Sequence, residues 1–448
     1  MSKSKQTIFL SDKYFFGALL FFVIPFFNLS LFSIYAFFLL FLNQEKLSKY
    51  NIIFKITTLL FYLLRYVSSL SANYNQLWKG LSLKNYASDE RFWDLQLNII
   101  SMKCILGNVE TYYLKYSLTS YKSCPYSAKY GPLSTKIPFF GDIWIGTQLL
   151  AFSGIIVLLI SYIVFTRQFP MNTIFLSSLM LISPTNFLIE RMNIDLFIGL
   201  TIVFSLVGYK KYPKVSVSLI TLMALYKLHP AGILFGLLLN SVFQTNKQHR
   251  EYLYNALFIF LTAYLMDVIF FTKQVLDTEW RPAGLHITFG LLSDSLIVEK
   301  LTTINYLYVY LSTLIIIAFL TIFCDFTRKI NFQNFSSIEK TYYYSFTFLF
   351  LLNMLYANYD YRIPLFFPVV YLIFRHADKR MWFIFLFIYL MPLDTTFNIF
   401  AVNFTIIDNI LSILGRISLY SFLIINLQLI KQDLFNHFDF KLRLFNKK

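Results

Sequence analysis

The chain has 448 residues, of which 57% are apolar, 20% aromatic and 14% charged. A soluble domain is about 25% charged, so this composition and the mean hydropathy of +0.59 exclude an ordinary cytosolic enzyme and indicate a polytopic membrane protein. The 14 glycines and 12 prolines are too few for a collagen-like or disordered chain. The net charge of +16 is explained by lysines and arginines in cytoplasmic loops, and no nucleic-acid-binding motif is present.

Apolar runs follow one another along the chain, and a helix needs roughly 20 residues to cross a bilayer. The first run has no small-residue cleavage site, so we expect it to remain as membrane structure. Two runs, 14–42 and 215–243, are too long for one straight helix and too short for two. The runs lie at about 14–42, 51–71, 146–166, 170–189, 194–208, 215–243, 251–271, 305–324, 341–357, 361–374, 381–396 and 404–430.

Basic clusters between these runs indicate the orientation, because lysine and arginine collect on the cytoplasmic side. All of them lie on one side only if 14–42 and 215–243 are hairpins of short or broken helices, interrupted near Pro25–Asn28 and at Lys227–Pro230. Both termini are then cytoplasmic. A single tilted helix over 14–42 would instead place the N-terminus outside.

The predicted fold is therefore an all-α polytopic membrane protein with about 12–14 transmembrane helices, including the broken hairpins, and a partly helical outer loop. We expect no tandem repeat. The predicted divisions are N-terminal membrane segments (1–71), a first extracytoplasmic loop (72–145), a helical core (146–430) with a second outer loop at 272–304, and a basic cytoplasmic tail (431–448).

Asp94 lies early in the first outer loop, among aromatic and apolar neighbours that would seat it at the membrane surface. A carboxylate in this position could take a proton from an acceptor hydroxyl as a general base. The alternative is a solvated loop aspartate with Arg91 as its partner.

A second polar group crowds six positions between two apolar runs and comprises Glu190, Arg191, Asn193 and Asp195. Arginine can bind a phosphate through two parallel hydrogen bonds, so a substrate-binding role is one interpretation. The other is a self-neutralising link between two helices.

Lys227 and His229 interrupt an apolar run just before Pro230. A broken helix is tolerated at membrane depth where it lines a buried or watery cavity, so this break predicts a polar site. The lysine could neutralise a lipid phosphate, and the histidine could donate to it or move a proton. Alternatively, the lysine extends to an interface and the histidine bonds to a neighbouring helix.

Further polar residues belong to the same predicted outer face. Asp360 and Arg362 form an opposite-charge pair that either binds substrate or makes a structural salt bridge, and the loop 272–304 contributes His286. Cys104 and Cys124 share the first outer loop, where an oxidising compartment would allow a disulfide, and they are otherwise two free thiols.

Several common chemistries find no support in the sequence. It contains no P-loop, no glycine-rich dinucleotide turn, no His-Glu-x-x-His and no Cys/His cluster with zinc spacing. We therefore expect no required cofactor and assign no metal site, while a divalent metal stays compatible with the sequence.

The order of these motifs resembles the polytopic GT-C glycosyltransferases that use polyprenyl-phosphate sugars, and within them the mannosyltransferase-like glycosyltransferase family 87. The resemblance covers roughly residues 90–375 and rests on Asp94, Ile105–Tyr112, Tyr130–Leu133, Glu190–Asp195, Lys227–Pro230, His286–Gly290 and Asn358–Arg362. It implies that Asp94 is the general base and that Arg191, Lys227, His229 and Arg362 are candidates for holding the lipid phosphate.

The resulting expectation is an integral glycosyltransferase of the bacterial inner membrane. It would move a sugar from a polyprenyl-phosphate donor to a hydroxyl of a glycan or glycolipid acceptor on the outer face, with inversion, in cell-envelope polysaccharide synthesis. Two alternatives are an O-antigen-type polymerase or ligase and a lipid-linked oligosaccharide flippase. A transporter usually places its charges near the midplane and shows repeated halves, and the sequence shows neither pattern.

Overall fold

The computed structural model describes residues 13–26, 29–42, 44–70, 92, 95–96, 99, 112–113, 120–121, 143–168, 173–182, 185–186, 188–189, 194–243, 247–276, 288–327, 330, 332–355, 358–390 and 405–445. These residues are mainly helical, which confirms the predicted all-α class. The predicted residues Asp94, Glu190, Arg191, Asn193, His286, Cys104 and Cys124 lie outside the described residues.

The helices of the first half are α1 Lys13–Val23, α2 Leu29–Leu40, α3 Gln44–Ser48, α4 Asn51–Leu70, α5 Ile143–Gln168, α6 Thr173–Leu181, α7 Ile194–Gly208, α8 Pro213–Tyr226 and α9 Ala231–Phe243. Those of the second half are α10 Lys247–Leu276, α11 Leu291–Thr302, α12 Tyr306–Phe323, α13 Ser337–Leu355, α14 Phe367–His376, α15 Leu386–Leu390 and α16 Thr405–Phe445. Short 3₁₀ segments are Ile24–Phe26, Phe332–Asn334, Asp360–Phe366 and Lys379–Phe385.

Four two-residue strands complete the described elements. Strands β1 Tyr112–Tyr113 and β2 Ser120–Tyr121 pair antiparallel, and so do β3 Thr288–Phe289 and β4 Asn358–Tyr359. The second pairing joins two sequence motifs that are about 70 positions apart, with Thr288 opposite Tyr359 and Phe289 opposite Asn358.

Both predicted breaks occur in the structure. The first apolar run divides into α1 and α2, and the Tyr35 hydroxyl donates to the Gly17 carbonyl at 2.6 Å while the rings of Phe21 and Phe32 lie 5.0 Å apart. The earlier residue of α1 contacts the later residue of α2, so the two helices are antiparallel and the run folds back as a hairpin. The second run divides into α8 and α9, which flank the Lys227–Pro230 break.

The pair α9–α13 fixes the centre of the described bundle. A Cβ added at Gly232 would lie 2.5 Å from the Phe348 carbonyl oxygen, and one added at Gly236 would lie closer still to that of Tyr344. The two helices therefore approach with backbone against backbone, as small residues four positions apart allow. Gly232 lies beside Phe348, whereas Gly236, which comes later in α9, lies beside the earlier residue Tyr344. The two helices are therefore antiparallel, and the start of α9 lies beside the end of α13.

We expect Gly236→Ala to destabilise the protein by about 1–3 kcal/mol, because the added methyl group meets backbone that cannot move aside. The matched control is Gly208→Ala, where the nearest contact of an added Cβ is the Ser216 hydroxyl at an ordinary 3.7 Å. Denaturant unfolding of the detergent-solubilised chain measures both. Equal stability of the two variants would contradict the close helix contact.

Helix α16 lies against α13 and α12. Lys340 Nζ is 3.2 Å from Asp433 Oδ1, and the rings of Phe350 and Phe422 are 5.3 Å apart, so α16 runs antiparallel to α13. Lys431 Nζ donates to the carbonyls of Thr321 and Ile322 at 2.8 and 3.0 Å, which caps the carboxyl end of α12. Helix α16 continues through residue 431 to residue 445.

Three helices of the described part are long and apolar enough to cross a membrane by length and composition. They cover Ile145–Val164, Tyr306–Phe323 and Ile410–His437. Shorter apolar helical stretches cover Lys13–Phe26, Leu31–Leu40, Ile194–Gly208, Pro213–Tyr226, Ala231–Phe243 and Arg380–Tyr389.

Candidate functional site

Asp195 is in the first turn of α7 and its side chain is fully buried. An aspartate is favoured there because the amino end of a helix carries partial positive charge. Gly199, one turn later, faces Leu365, whose Cδ2 would lie 2.6 Å from an added Cβ. This contact holds the start of α7 against the 3₁₀ segment that contains Arg362.

Lys227 and His229 lie in the break between α8 and α9. The Lys227 backbone is extended, with φ −149° and ψ 137°, and its N–H donates to the Met223 carbonyl at 2.9 Å, so α8 ends at this point. Pro230 reinforces the break because a residue before proline avoids the helical conformation. Since α9 begins beside the end of α13, both side chains reach the region that follows α13.

Arg362 reaches the same place from the other side. Strand β4 follows α13 after two intervening residues, and the 3₁₀ segment Asp360–Phe366 begins directly after β4. Pairing with β3 fixes the path of this segment. The backbone of Asp360 is part of this 3₁₀ segment.

Three side chains converge on the Asp195 carboxylate. Lys227 Nζ lies 2.7 Å from Asp195 Oδ1, Arg362 Nε donates to Asp195 Oδ2 at 2.9 Å, and His229 Nε2 lies 3.5 Å from Oδ1. The exposed fractions of the side chains are 0% for Asp195, 7% for Lys227 and 17% for Arg362. We call these four residues the Asp195 cluster.

The Asp195 cluster combines two cations with one carboxylate in a largely buried site. Lys227 and Arg362 both bring charged N–H donors to this site, and such donors form strong hydrogen bonds with anionic oxygens. The arrangement is therefore chemically suited to an anionic ligand. Arg362 is the most exposed of the three and marks the open side of the cluster.

His229 adds a neutral hydrogen-bonding group. It lies outside both flanking helices, and burial lowers the pKa of its imidazole to about 3, against the opposing effect of the Asp195 carboxylate. The ring is therefore uncharged at neutral pH. Among the described residues, its Nε2 has no hydrogen-bond partner.

The structure thus brings together four of the predicted site residues, Asp195, Lys227, His229 and Arg362. It describes only the backbone of Asp360, while the remaining predicted site residues lie outside the described ranges. Within those ranges, no group of three or more histidine, cysteine, aspartate or glutamate side chains is arranged to hold a metal ion.

Sequence reasoning missed a second polar group, which is largely buried. Arg416 on α16 and Tyr420, one turn later, both donate to Asp294 on α11. Arg416 is the one charged residue between Asp408 and Lys431, within an apolar run, and this isolation was the available signal.

No protein-family model matches the chain, and comparison with curated proteins and with solved structures gives no match.

Proposed function

We propose that this chain is a polytopic membrane glycosyltransferase of the GT-C kind. It transfers a sugar from a polyprenyl-phosphate donor to an acceptor hydroxyl on the outer face of the bacterial inner membrane, and both of its termini are cytoplasmic. The observation that carries the proposal is the Asp195 cluster, a largely buried site at the end of a bundle of apolar helices where Lys227 and Arg362 bring charged donors to the same place.

The apolar surface supports a membrane location. Helix α12 buries only Ile317 among its residues, and the side chains of Ile315 and Phe323 are 68% and 71% exposed. A surface of this kind is stable against lipid and costly in water. Nine apolar helical stretches of the described residues share this composition, and the proposal takes the shorter ones as broken or tilted spans.

The distribution of charge supports the orientation. Lys340 and Arg375 lie at the end of the bundle where α13 begins and α14 ends, whereas Arg362 follows the end of α13. The proposal assigns the first end to the cytoplasm, in accordance with the positive-inside rule. The Asp195 cluster then faces outward.

The proposed reaction is a single displacement. The acceptor oxygen attacks the anomeric carbon, the bond from that carbon to the phosphate oxygen breaks, and the hydroxyl proton passes to the Asp94 carboxylate. The bonding electrons leave with the lipid phosphate, whose charge increases from one to two negative units. Lys227 and Arg362 stabilise this developing charge, and His229 Nε2 supplies a further hydrogen bond.

The described residues that neighbour Asp94 along the chain support its role as the base. Phe92 is fully buried and has a φ of 57°, which is a strained conformation for a bulky side chain. Leu95 and Gln96 are also buried, and the Gln96 N–H donates to the Phe92 carbonyl at 3.0 Å. Such strain is typical of functional sites.

The proposal is tested by transfer from a panel of radiolabelled polyprenyl-phosphate sugars, catalysed by the full chain in lipid nanodiscs. We expect the wild type to use at least one donor, and Lys227→Gln to lower the catalytic efficiency for that donor at least about tenfold, because a hydrogen bond to a charged phosphate is lost.

The matched control is Lys340→Gln, which removes a lysine from another ion pair at the opposite end of the bundle and should leave transfer unchanged. Free polyprenyl phosphate should inhibit the wild type, and uncharged polyprenol should not. Failure of every donor would reject the proposal and favour the polymerase or flippase alternatives.

A further inference from the structure

A second polar cluster lies between α11 and α16. Arg416 Nη1 donates to Asp294 Oδ1, and the Tyr420 hydroxyl donates to Asp294 Oδ2 at 2.6 Å. Arg416 and Tyr420 are one helical turn apart, so they project from the same face of α16. We call these three residues the Asp294 cluster.

The Asp294 carboxylate has capacity for additional hydrogen bonds. A carboxylate offers about four acceptor positions, two on each oxygen, and Arg416 and Tyr420 occupy one on each. The Asp294 side chain is 18% exposed, whereas that of Asp195 is fully buried. Both oxygens therefore retain an acceptor position, and the side chain is partly exposed.

The Asp294 cluster lies at the same end of the bundle as the Asp195 cluster. Helix α16 is antiparallel to α13 and already contacts Phe350 through Phe422, so Tyr420 and Arg416 lie level with the end of α13. Arg362 follows that end through β4, and Asp294 follows β3, the partner of β4. Gly290, with a φ of 106°, turns the chain from β3 into α11.

The charges of the two clusters differ in a way that indicates different ligands. Arg416 and Asp294 neutralise each other, so the Asp294 cluster has no excess charge to match an anion. Burial raises the pKa of Asp294, although the charge of Arg416 and the hydrogen bonds oppose this. A largely buried ion pair adds little net stability to the packing of two helices, since apolar residues in its place are often at least as stabilising.

We propose that the Asp294 cluster binds adjacent hydroxyl groups of an uncharged saccharide, with Asp294 accepting two hydrogen bonds from neighbouring hydroxyls. This inference rests on the proposed function, in which the saccharide is the acceptor and the Asp195 cluster holds the donor phosphate. Asp294 is a binding residue in this assignment, and Arg416 and Tyr420 position its carboxylate.

The first experiment measures saccharide binding without any donor. Full-length protein in lipid nanodiscs is mixed with the methyl glycosides of mannose, glucose, galactose and N-acetylglucosamine, and saturation-transfer NMR reports the affinity of each. We expect at least one glycoside to bind the wild type and to bind Asp294→Asn at least about tenfold more weakly, because the charged acceptor is lost.

The matched control is Asp433→Asn. Asp433 is likewise held by a cation and a tyrosine, Lys340 and Tyr344, but at the other end of α16. This variant should bind the glycoside as the wild type does. Equal binding by Asp294→Asn and the wild type, or no glycoside binding by the wild type, would overturn the inference. A loss in both variants would indicate a structural effect and also overturn it.

A second experiment separates this inference from the proposed function. In the transfer assay, Asp294→Asn should raise the acceptor KM at least about tenfold and leave the donor KM unchanged. Lys227→Gln should instead raise the donor KM and leave the acceptor KM unchanged. Glycoside binding that depends on Asp294, in a chain that transfers no sugar, would reject the proposed function and keep the saccharide site. A donor KM that changes with the acceptor KM would overturn the separate site.

Discussion

Replacing Asp195 by asparagine is expected to lower the free energy of unfolding by about 3–5 kcal/mol, because Lys227 and Arg362 then lose the buried carboxylate that both contact. Denaturant unfolding in detergent measures the change. The matched control is Asp433→Asn, whose carboxylate is 17% exposed and pairs with a lysine that is 28% exposed. A more exposed pair should contribute much less.

A second substitution tests whether the stability lost in Asp195→Asn results from the changed charge of the cluster or from the changed shape of the side chain. Adding Lys227→Met to Asp195→Asn removes one of the two cations, so we expect most of the lost stability to return. Transfer should still be at least about tenfold less efficient than in the wild type, because the lysine proposed to hold the lipid phosphate is absent. If the double variant is as unstable as the single variant, charge balance does not account for the effect. If it transfers sugar normally, the Asp195 cluster is not the phosphate site.

Replacing Asp94 by asparagine is expected to lower the rate of sugar transfer at least about 100-fold, which is the low end of the effect of a general base. An asparagine keeps the size of the side chain but cannot accept the hydroxyl proton. Inhibition of the residual transfer by free polyprenyl phosphate should be unchanged, because the base does not hold the phosphate. Membranes containing each variant and a radiolabelled donor provide the measurement.

The control for this prediction is Asp89→Asn, which removes the same charge from the same predicted loop and should leave transfer intact. Unchanged transfer by Asp94→Asn would keep the enzymatic function and reject Asp94 as the base. Asp294, a partly exposed carboxylate at the same end of the bundle as Arg362, would then be the next residue to test.

The breaks in the long apolar runs could be predicted because local chemistry determines them. Pro25 and Pro230 cannot continue a helix, and the polar residues beside them are costly within an apolar span. The same reasoning could not predict that α9 packs closely against α13. Gly232 and Gly236 suggest a close approach, but the backbone that accepts them lies more than 100 residues further along the chain.

The members of the Asp195 cluster could be identified from the sequence as polar residues at the ends of apolar runs, but their partners could not. From the sequence, one possibility was a salt bridge between Arg362 and Asp360, which is two positions away. In the structure, Arg362 Nε donates to Asp195, which is 167 positions away. An ion pair depends on the distance between atoms, and the crossing of α7 with the segment around Leu365 sets that distance.

The sequence by itself determined the apolar helical class, the positions of the breaks and the residue types at the site, because these depend on composition and on neighbours along the chain. Only the tertiary structure decided that Asp195 joins Lys227 and Arg362, and that Asp294, Arg416 and Tyr420 form a second cluster at the same end. These contacts arise from antiparallel packing and from the β3–β4 pairing, which bring distant segments together through shape complementarity rather than local preference.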